Sequence, residues 1–566
     1  MRIHPITCTV ALLLAACSSN APTGSNGGGS GAGGSLGTTS GSGGSAVASG
    51  GMGAGTSGSG GMPTSGGSST GGTPSAGGAG QGGVPSSAGT PGLGGSAGAI
   101  GAAGAAGVIG TAGAAGSSFV QPALVTSAAG AYWVTSGTLT EAASGTADVT
   151  VNDTATAQTW EGFGGSFNEK GWAFLSLLSE ADRNTALNLL FGRDGCNLTW
   201  GRIPMGASDY STDRYSLDEV PSGQTDTSMA SFSTTRDEQQ LIPFVKAAQA
   251  VKGDLRFWAS PWSPPTWMKD GPFNDDSAFD GGSMKKDDAT LAAHALYFVK
   301  FVQAYKQKGI NIELVSPQNE PGYSGTYPTC AWAPATYATF VGKHLGPALS
   351  QASLDTKIML GTFNAGTGDT SIVSTVMGDT TASAKISVLG YQWGMQGNVK
   401  ADQKYTRPIW QTEHKCGNYP WETGFVDKIA PNDGAYAIES WGLFRDWIKA
   451  GVTAYSVWNL VLDTAGIGID SKRVWPQNAL LTVDTATKKL TPTPTYYVYR
   501  HFTQAVAPGA VVLGTTGGDA IAFKNPNGTI VTVMYNSGAA KAYVVAVGGK
   551  KLQFQMPSGG WATITK

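Results

Sequence analysis

Between residues 160 and 476, eight short apolar runs alternate with segments whose apolar residues recur at helical spacing. This alternation predicts repeated βα units and a parallel sheet, because consecutive parallel strands must be joined by a crossover that is usually a helix. The candidate strands lie near residues 161–165, 198–204, 255–261, 312–317, 357–363, 386–391, 408–413 and 454–459. Eight such units over a stretch of this length predict an α/β fold, a (β/α)8 TIM barrel.

Amphipathic helices are predicted between these strands, at residues 180–191, 237–251, 289–308 and 435–450. Functional side chains of such a barrel sit at the carboxyl ends of the strands, where the βα loops begin. We therefore expect the catalytic and binding side chains among the residues that directly follow each apolar run.

A second domain is predicted from both flanks of the barrel. Short β-type runs occur at residues 131–135 and 147–151, and again at 511–513, 521–523, 530–534 and 543–547. The dipeptide Asn527-Gly528 between two of them is a strong hairpin signal. Since the first group is too small to complete a sheet alone, we expect residues 119–159 and 477–566 to form one β-sandwich side domain.

The first 118 residues do not resemble a folded domain. Residues 1–17 have the positive start and short apolar stretch of an export signal. Leu14-Ala15-Ala16-Cys17 resembles the lipobox of bacterial lipoproteins, which implies lipidation at Cys17 and a lipid-anchored or secreted protein of the bacterial cell envelope; cleavage of an ordinary signal peptide near Ala16 is the alternative. Residues 18–118 are rich in Gly, Ser and Ala and predict a disordered linker.

Charge and metal-ligand patterns exclude several classes of partner. The net charge is −2 and no basic stripe is present, which argues against nucleic acid and leaves the N-terminal lipid as the only expected membrane attachment. The five histidines and five cysteines show no zinc-ligand spacing. We expect no metal, no cofactor and a monomer.

Two glutamates follow strands that are predicted to end on the same rim of the barrel. Asn319 and Glu320 come directly after the fourth strand, and Glu413 ends the seventh. Paired carboxyls are what hydrolysis of an acetal needs, since one protonates the departing oxygen while the other stabilises or traps the oxocarbenium centre. Either glutamate alone could instead belong to a loop salt bridge.

Several motifs resemble those of one enzyme family. Asn319-Glu320-Pro321 and the run from Gln411 to His414 look like the acid/base and nucleophile signatures of the large barrel-glycosidase clan. Three further stretches resemble glycoside hydrolase family 30: GFGGSFNE at 162–169, RIPMGASDYS at 202–211 and SPWSPPTWMK at 260–269. They are most similar to the glucosylceramidase-like and endo-β-1,6-glucanase branches, and the likeness runs from about residue 160 to 510.

The resemblance implies roles for the catalytic residues. Glu413 would be the nucleophile and Glu320 the general acid/base of a retaining reaction, with carboxyls about 5 to 5.5 Å apart. Arg202 would hold Glu413 ionised, and Asn319 would bind the sugar 2-hydroxyl. A plain structural ion pair is the alternative for Arg202.

The same resemblance implies a sugar-binding pocket. Asp209 and Trp262 match positions that hold an edge and a face of the sugar, and Trp458 and Asn459 match the floor. A turn-capping role for Asp209 and core packing for each Trp are the alternatives. Trp393 is a further substrate-binding candidate, although it lies in a Tyr-Gln-Trp run where the glucosylceramidases tend to carry a histidine and a tyrosine.

Cysteine pairing stays open. Cys330 and Cys416 each follow a catalytic glutamate by a few residues, and an exported location permits a disulfide between them. The sequence does not decide between that bridge and two free thiols, because the geometry of a disulfide cannot be read from spacing.

The expected activity is retaining hydrolysis of β-glucosidic linkages in a polysaccharide or glycolipid. The β-1,6-glucanase interpretation stands slightly ahead of a glucosylceramidase. Related glycosidases that act on glucuronoxylan, β-xylosides or β-1,6-galactan are the alternatives, together with an inactive glycan-binding surface lipoprotein. Arg500 is the last arginine of the chain, which weighs mildly against a glucuronate-reading side domain.

Overall fold

The computed structural model describes residues 121–274, 277–364, 367–417, 419, 429–470, 472 and 475–566. The predicted signal segment, Cys17 and the linker at 18–118 lie outside the described residues. Among the helices of the described ranges, none is long and apolar enough to cross a membrane.

Strands and helices alternate through most of the described chain. The strands are β1 (Leu124–Ala128), β2 (Ala131–Val134), β3 (Thr140–Glu141), β4 (Val149–Thr159), β5 (Gly162–Ser166), β6 (Trp200–Pro204), β7 (Arg256–Ser260), β8 (Lys269–Asn274), β9 (Ser277–Met284), β10 (Ile312–Val315), β11 (Lys357–Phe363), β12 (Ile386–Gln392), β13 (Ile409–Glu413), β14 (Ala454–Asp463), β15 (Ala479–Val483), β16 (Leu490–Pro492), β17 (Val511–Gly517), β18 (Asp519–Lys524), β19 (Ile530–Asn536), β20 (Lys541–Val547), β21 (Lys550–Met556) and β22 (Gly560–Thr565). The helices are α1 (Glu169–Ser176), α2 (Glu180–Phe191), α3 (Leu241–Val251), α4 (Asp288–Gln307), α5 (Pro334–Thr339), α6 (Gly346–Gln351), α7 (Thr367–Gly378), α8 (Thr380–Ser383), α9 (Val399–Asp402), α10 (Gly434–Ala450) and α11 (Pro494–Thr503).

Eight parallel strands close into a barrel, as predicted. Strands β5, β6, β7, β10, β11, β12, β13 and β14 pair with their neighbours in chain order, and β14 pairs with β5 to complete the ring. All eight coincide with the predicted runs to within a few residues. Helix α3 begins at Leu241 rather than at 237, since residues 235–240 form turns. The Asp237 carboxylate there accepts hydrogen bonds from the buried hydroxyls of Tyr215 and Tyr305 at 3.0 and 2.8 Å.

Glycines on the first two barrel strands allow neighbouring side chains to pack against the backbone. A Cβ at Gly165 on β5 would lie 2.3 Å from the Leu460 side chain, and one at Gly201 on β6 would lie 2.5 Å from the Phe167 ring. Both strands are buried on both faces. The GFGG motif therefore serves barrel closure as much as any site.

Both ends of the chain build the side domain, as predicted. Its ten strands follow the order β2-β1-β22-β19-β18-β17-β4-β20-β21-β3, so that β1 pairs with β22 and β4 pairs with both β17 and β20. The predicted turn at Asn527-Gly528 joins β18 to β19, and Gly528 has a φ of 86°, which glycine adopts without strain.

The predicted boundary of this domain at residue 477 is wrong. Strand β15 extends the barrel sheet, with Ala479 opposite Asn459 of β14, and β16 pairs with β15. The C-terminal strands of the side domain begin only at Val511. The β-type composition of β15 did not reveal which sheet it would join.

Candidate active site

Asn319, Glu320 and Glu413 meet at the rim formed by the carboxyl ends of the barrel strands. Glu413 is the last residue of β13, and Glu320 lies five residues beyond the end of β10. Glu320 has a φ of 48°, a left-handed conformation that is uncommon for a residue with a side chain. Its backbone N–H donates to the Thr362 carbonyl at 2.9 Å, which fixes this strained turn against the end of β11.

Arg202 binds the predicted nucleophile directly. Its side chain is fully buried, and Nη1 donates to Glu413 Oε2 at 2.8 Å. Nη2 donates to Asn319 Oδ1 at 2.6 Å, and Nε and Nη2 donate to the Ser260 hydroxyl at 3.2 and 3.0 Å. The guanidinium also lies over the Trp262 ring, 4.2 Å from its centre. A charge held by so many partners is well placed to fix the carboxylate of Glu413.

Hydrogen bonds to the side-chain oxygen of Asn319 fix the orientation of its amide. Thr362 Oγ1 and Gln392 Nε2 each donate to Asn319 Oδ1 at 2.9 Å, in addition to the bond from Arg202. With three donors converging on the oxygen, the Nδ2 amide is the group that can donate into the cleft. Gln392 also donates to Glu413 Oε2 at 3.3 Å, so one side chain links the two site residues.

Glu320 is held by a different pair of donors. The Tyr327 hydroxyl lies 2.5 Å from Glu320 Oε2, and Asn364 Nδ2 donates to Glu320 Oε1 at 2.7 Å. Both oxygens of this carboxyl are therefore engaged by neutral groups, whereas Glu413 is paired with a positive charge. The two glutamates sit in environments that suit different tasks.

Three carboxyls, those of Glu413, Glu320 and Asp209, interact with the Arg202 guanidinium. Burial raises the pKa of Glu413, the Glu320 and Asp209 carboxyls add to the rise, and the Arg202 guanidinium opposes it. Burial, reinforced by Glu320, also raises the pKa of Asp209 to about 7. Because Arg202 contacts Glu413 directly, its guanidinium favours the ionised form of that carboxyl.

Asp209, Trp262 and Trp458 form one side of the site. The Trp262 and Trp458 rings stack with their centres 5.0 Å apart. Asp209 Oδ1 is buried and has no hydrogen-bond partner among the described residues. An unpaired buried carboxyl oxygen beside an indole face is suited to a sugar hydroxyl, because each ring hydroxyl can donate one hydrogen bond.

A cleft of about 420 Å³ opens above these residues. Its lining comprises Asp209, Tyr210, Trp262, Asn319, Glu320, Tyr323, Tyr327, Asn364, Trp393, Glu413, Tyr419, Gly468, Asp470, Trp475 and Gln477. Polar groups converge here on an aromatic surface, which is the common composition of a small-molecule site.

Most predicted site residues reach this cleft, but three lie one layer beneath it. Arg202 acts through Glu413 and Asn319, and Trp458 supports Trp262. Asn459 is buried and its Nδ2 donates to Gln477 Oε1 at 3.0 Å, while its Oδ1 accepts from Asn168 at 3.0 Å. Asn459 therefore positions Gln477, which lines the cleft in its place.

Cys330 and Cys416 are both free thiols, so the possible disulfide is not formed. Both are fully buried in separate surroundings: Cys330 Sγ lies 3.7 Å from the Ala331 carbonyl, and Cys416 Sγ lies 3.4 Å from Gln477 Oε1. Following a catalytic strand by a few residues does not bring two thiols within bonding distance.

Sequence reasoning did not find several residues that touch the glutamates or line the cleft. Tyr327, Asn364 and Gln392 were missed as partners of the glutamates, and Tyr419, Trp475 and Gln477 as lining residues. Gln392 and Asn364 each stand at or just after the end of a barrel strand, which is a usable signal. The others lie on long βα loops, where no periodicity indicates which side chains turn inward.

Within the described ranges, no group of three or more His, Cys, Asp or Glu side chains is arranged to hold a metal ion.

Comparison with known proteins agrees with the geometry. Residues 160–506 match the glycosyl hydrolase family 30 TIM-barrel domain, and residues 509–564 match the beta sandwich domain of the same family. The chain is 29% identical over 429 residues to an endo-1,6-beta-D-glucanase of Neurospora crassa, covering 70% of this chain and 82% of that protein. It is 27% identical over 429 residues to putative glucosylceramidase 1 of Caenorhabditis elegans, covering 70% and 77%.

Solved structures share the fold. SrfJ from Salmonella typhimurium superposes with a TM-score of 0.67 at 23% identity, over 78% of this chain and 98% of SrfJ. An endo-beta1,6-glucanase superposes with a TM-score of 0.67 at 22% identity, over 78% and 97%. With both domains matched in order and two glutamates set in contrasting networks on the barrel rim, the protein is a β-glycoside hydrolase, and the chain belongs to glycosyl hydrolase family 30.

Proposed function

We propose that the protein hydrolyses β-glucosidic linkages by double displacement. Glu413 attacks the anomeric carbon while Glu320 protonates the departing oxygen, which leaves a glycosyl ester on Glu413. Glu320 then removes a proton from water, which attacks the same carbon, releases Glu413 and restores the original configuration. The observation that carries this assignment is the pairing of Glu413 with buried Arg202 at 2.8 Å, beside a Glu320 whose oxygens accept hydrogen bonds from Tyr327 and Asn364.

Asn319 and Asp209 supply binding energy to this reaction. The Asn319 amide, fixed by three donors to its oxygen, is placed to donate to the 2-hydroxyl, an interaction that strengthens as charge develops at the neighbouring carbon. Asp209 Oδ1 accepts from a hydroxyl at the other edge of the ring, and the Trp262 indole covers a face.

The preferred substrate is β-1,6-glucan, with a glucosylceramide-like glycolipid second. The family branches that the chain resembles support these two, since its relatives include endo-1,6-beta-D-glucanases and putative glucosylceramidases. A xylan- or β-1,6-galactan-cleaving enzyme and an inactive glycan-binding lipoprotein remain the rival functions. The complete hydrogen-bonded network around both glutamates weighs against the inactive protein.

Hydrolysis across a substrate panel tests the proposal. The panel contains β-1,6-glucan, glucosylceramide in detergent, glucuronoxylan, β-1,6-galactan and an aryl β-glucoside, each with the wild type and with Glu413→Gln. We expect sugar release from the β-glucosyl substrates that the variant abolishes. Release from xylan or galactan alone would replace the substrate assignment, and a folded wild type that cleaves nothing would support the binding protein.

We further propose that the protein is a monomer anchored by lipid at Cys17 to the bacterial cell envelope. The Leu14-Ala15-Ala16-Cys17 motif supports the anchor. A Gly-rich linker of about 100 residues would span roughly 50 to 60 Å, which lets one catalytic domain reach nearby insoluble polymer. Cys17→Ser should move the protein from the membrane fraction to the soluble fraction, and an unchanged distribution would refute the anchor.

A further inference from the structure

Three aromatic side chains make up one wall of the cleft, which we call the aromatic wall: Trp393, Tyr419 and Trp475. The Trp393 and Tyr419 rings stack with centres 5.4 Å apart and planes 19° from parallel. The Trp475 ring meets Tyr419 edge to face at 5.7 Å. Tyr419 is buried and covers one face of Trp393, while Trp393 is half-buried and lines the cleft. The Trp393 indole therefore contributes surface to the cleft while Tyr419 supports it from one side.

The aromatic wall lies across the barrel mouth from the pocket of Asp209 and Trp262. Asp209 and Trp262 follow β6 and β7, the second and third strands of the barrel, whereas Trp393 follows β12, the sixth. In a closed ring of eight strands the second strand lies opposite the sixth, and the third lies three places from it. A sugar bound at Asp209 and Trp262 leaves the Trp393 side of the same cleft for the leaving group that Glu320 protonates.

The lining of the cleft distinguishes a sugar from a lipid chain. Among the described residues that form it, none carries an aliphatic side chain; the apolar surface consists entirely of Tyr and Trp rings. Flat rings with a polar edge suit a pyranose, which has an apolar face and a rim of hydroxyls. Acyl chains would instead gain most from Leu, Ile, Val or Met surface that can adapt to them.

We propose that Trp393, held in plane by Tyr419, is the binding platform for a sugar ring on the leaving-group side of the scissile bond. This proposal rests on the proposed β-glucosidase chemistry and deepens it: the enzyme would act on linkages between sugars rather than on a sugar–lipid bond. Tyr323 and Tyr327, with ring centres 6.1 Å apart, line the same cleft, and the Tyr327 hydroxyl contacts Glu320.

A comparison of two substrates distinguishes a loss of sugar binding at Trp393 from a loss of catalysis at the glutamates. A β-1,6-linked gluco-oligosaccharide places a sugar on Trp393, whereas β-glucosyl fluoride has a leaving group too small to reach it. For Trp393→Ala we expect kcat/KM to fall by about tenfold or more on the oligosaccharide, the loss of one aromatic contact, and by less than about twofold on the fluoride. Trp393→Phe should restore most of the oligosaccharide activity.

Trp133→Ala is the matched control, since Trp133 is a half-buried indole on β2 of the side domain and lies outside the cleft. It should leave both substrates unaffected. Equal losses on both substrates, or no loss on the oligosaccharide, would overturn the platform while leaving the β-glucosidase chemistry intact. Glucosylceramide cleaved faster than the oligosaccharide by the wild type would also overturn it. A folded wild type inactive on the fluoride and on every β-glucoside would overturn both proposals.

Discussion

Arg202 with Glu413 and Arg256 with Glu313 form two arginine–glutamate pairs at opposite ends of the same barrel. The first joins Nη1 to Oε2 at 2.8 Å, and the second joins Nη2 to Oε2 at 2.6 Å. Each arginine also lies over a tryptophan ring, at 4.2 and 3.9 Å respectively. Local geometry alone does not tell which pair is catalytic.

The two pairs differ in how deeply they are buried and in the number of carboxyls near them. Arg202 and Glu413 are 0% and 11% exposed, and two more carboxyls lie close by. Arg256 and Glu313 are 44% and 30% exposed and satisfy each other in a two-point contact. Their end of the barrel also has a cavity, of about 370 Å³ against 420 Å³ at the cleft. Volume is therefore a poor guide to function here, whereas buried carboxyls with raised pKa values, such as those of Glu413 and Asp209, are a good one.

The sharpest way to test this contrast is to neutralise each glutamate. Glu413→Gln removes the nucleophile, so kcat on any cleaved β-glucoside should fall by about 10⁴-fold or more. Glu313→Gln is the matched control and should leave kcat within about twofold. Steady-state kinetics of both variants decides the matter, and comparable losses would mean that the pairs do not differ as described.

Glu320→Ala should show the next largest effect, and a selective one. Without the acid, kcat on substrates with poor leaving groups should fall by about 10²- to 10⁴-fold, because the departing oxygen is no longer protonated. Added azide, which needs no general base, should restore turnover of an activated aryl glucoside and yield a β-glucosyl azide. An α-configured azide, or no rescue, would argue against Glu320 as acid/base of a retaining reaction.

Replacing the arginine of each pair should lower the free energy of unfolding by different amounts. Arg202→Met leaves Glu413 buried without its partner, for which a loss of about 3 to 5 kcal/mol in the free energy of unfolding is expected. Arg256→Met breaks an exposed pair and should cost about 1 kcal/mol or less. Urea unfolding of the three proteins measures this difference. Equal destabilisation would contradict the contrast in burial.

A smaller effect concerns pH. The pKa of Asp209 is raised to about 7 by burial and by Glu320, so the folded protein binds this proton more tightly than the unfolded chain does. The stability that Asp209 contributes is thus full below about pH 4 and is lost as the pH rises through about 7. Asp209→Asn does not titrate, so its Tm should fall less between pH 5 and pH 8 than that of the wild type. A steeper fall in the variant would refute the raised pKa.

The sequence predicted the barrel well because its signals are local. Apolar runs of five to seven residues between amphipathic helices locate each strand, and strand ends locate Glu320 and Glu413. The partners of those glutamates were harder to find. Tyr327 reaches Glu320 from a loop whose path depends on tertiary packing, and β15 joined the barrel sheet although its composition suits either domain.

The most direct test of the account is to trap the covalent intermediate. A 2-deoxy-2-fluoro-β-glucosyl fluoride slows both chemical steps but retains a good leaving group, so the glycosyl-enzyme should accumulate. Digestion and mass spectrometry should then find the added fluoroglucosyl mass on the peptide that contains Glu413, and nowhere in Glu413→Gln. Label on Glu320 or another residue, or steady turnover that forms α-configured 2-deoxy-2-fluoroglucose without any labelled peptide, would contradict the assignment of Glu413 as nucleophile.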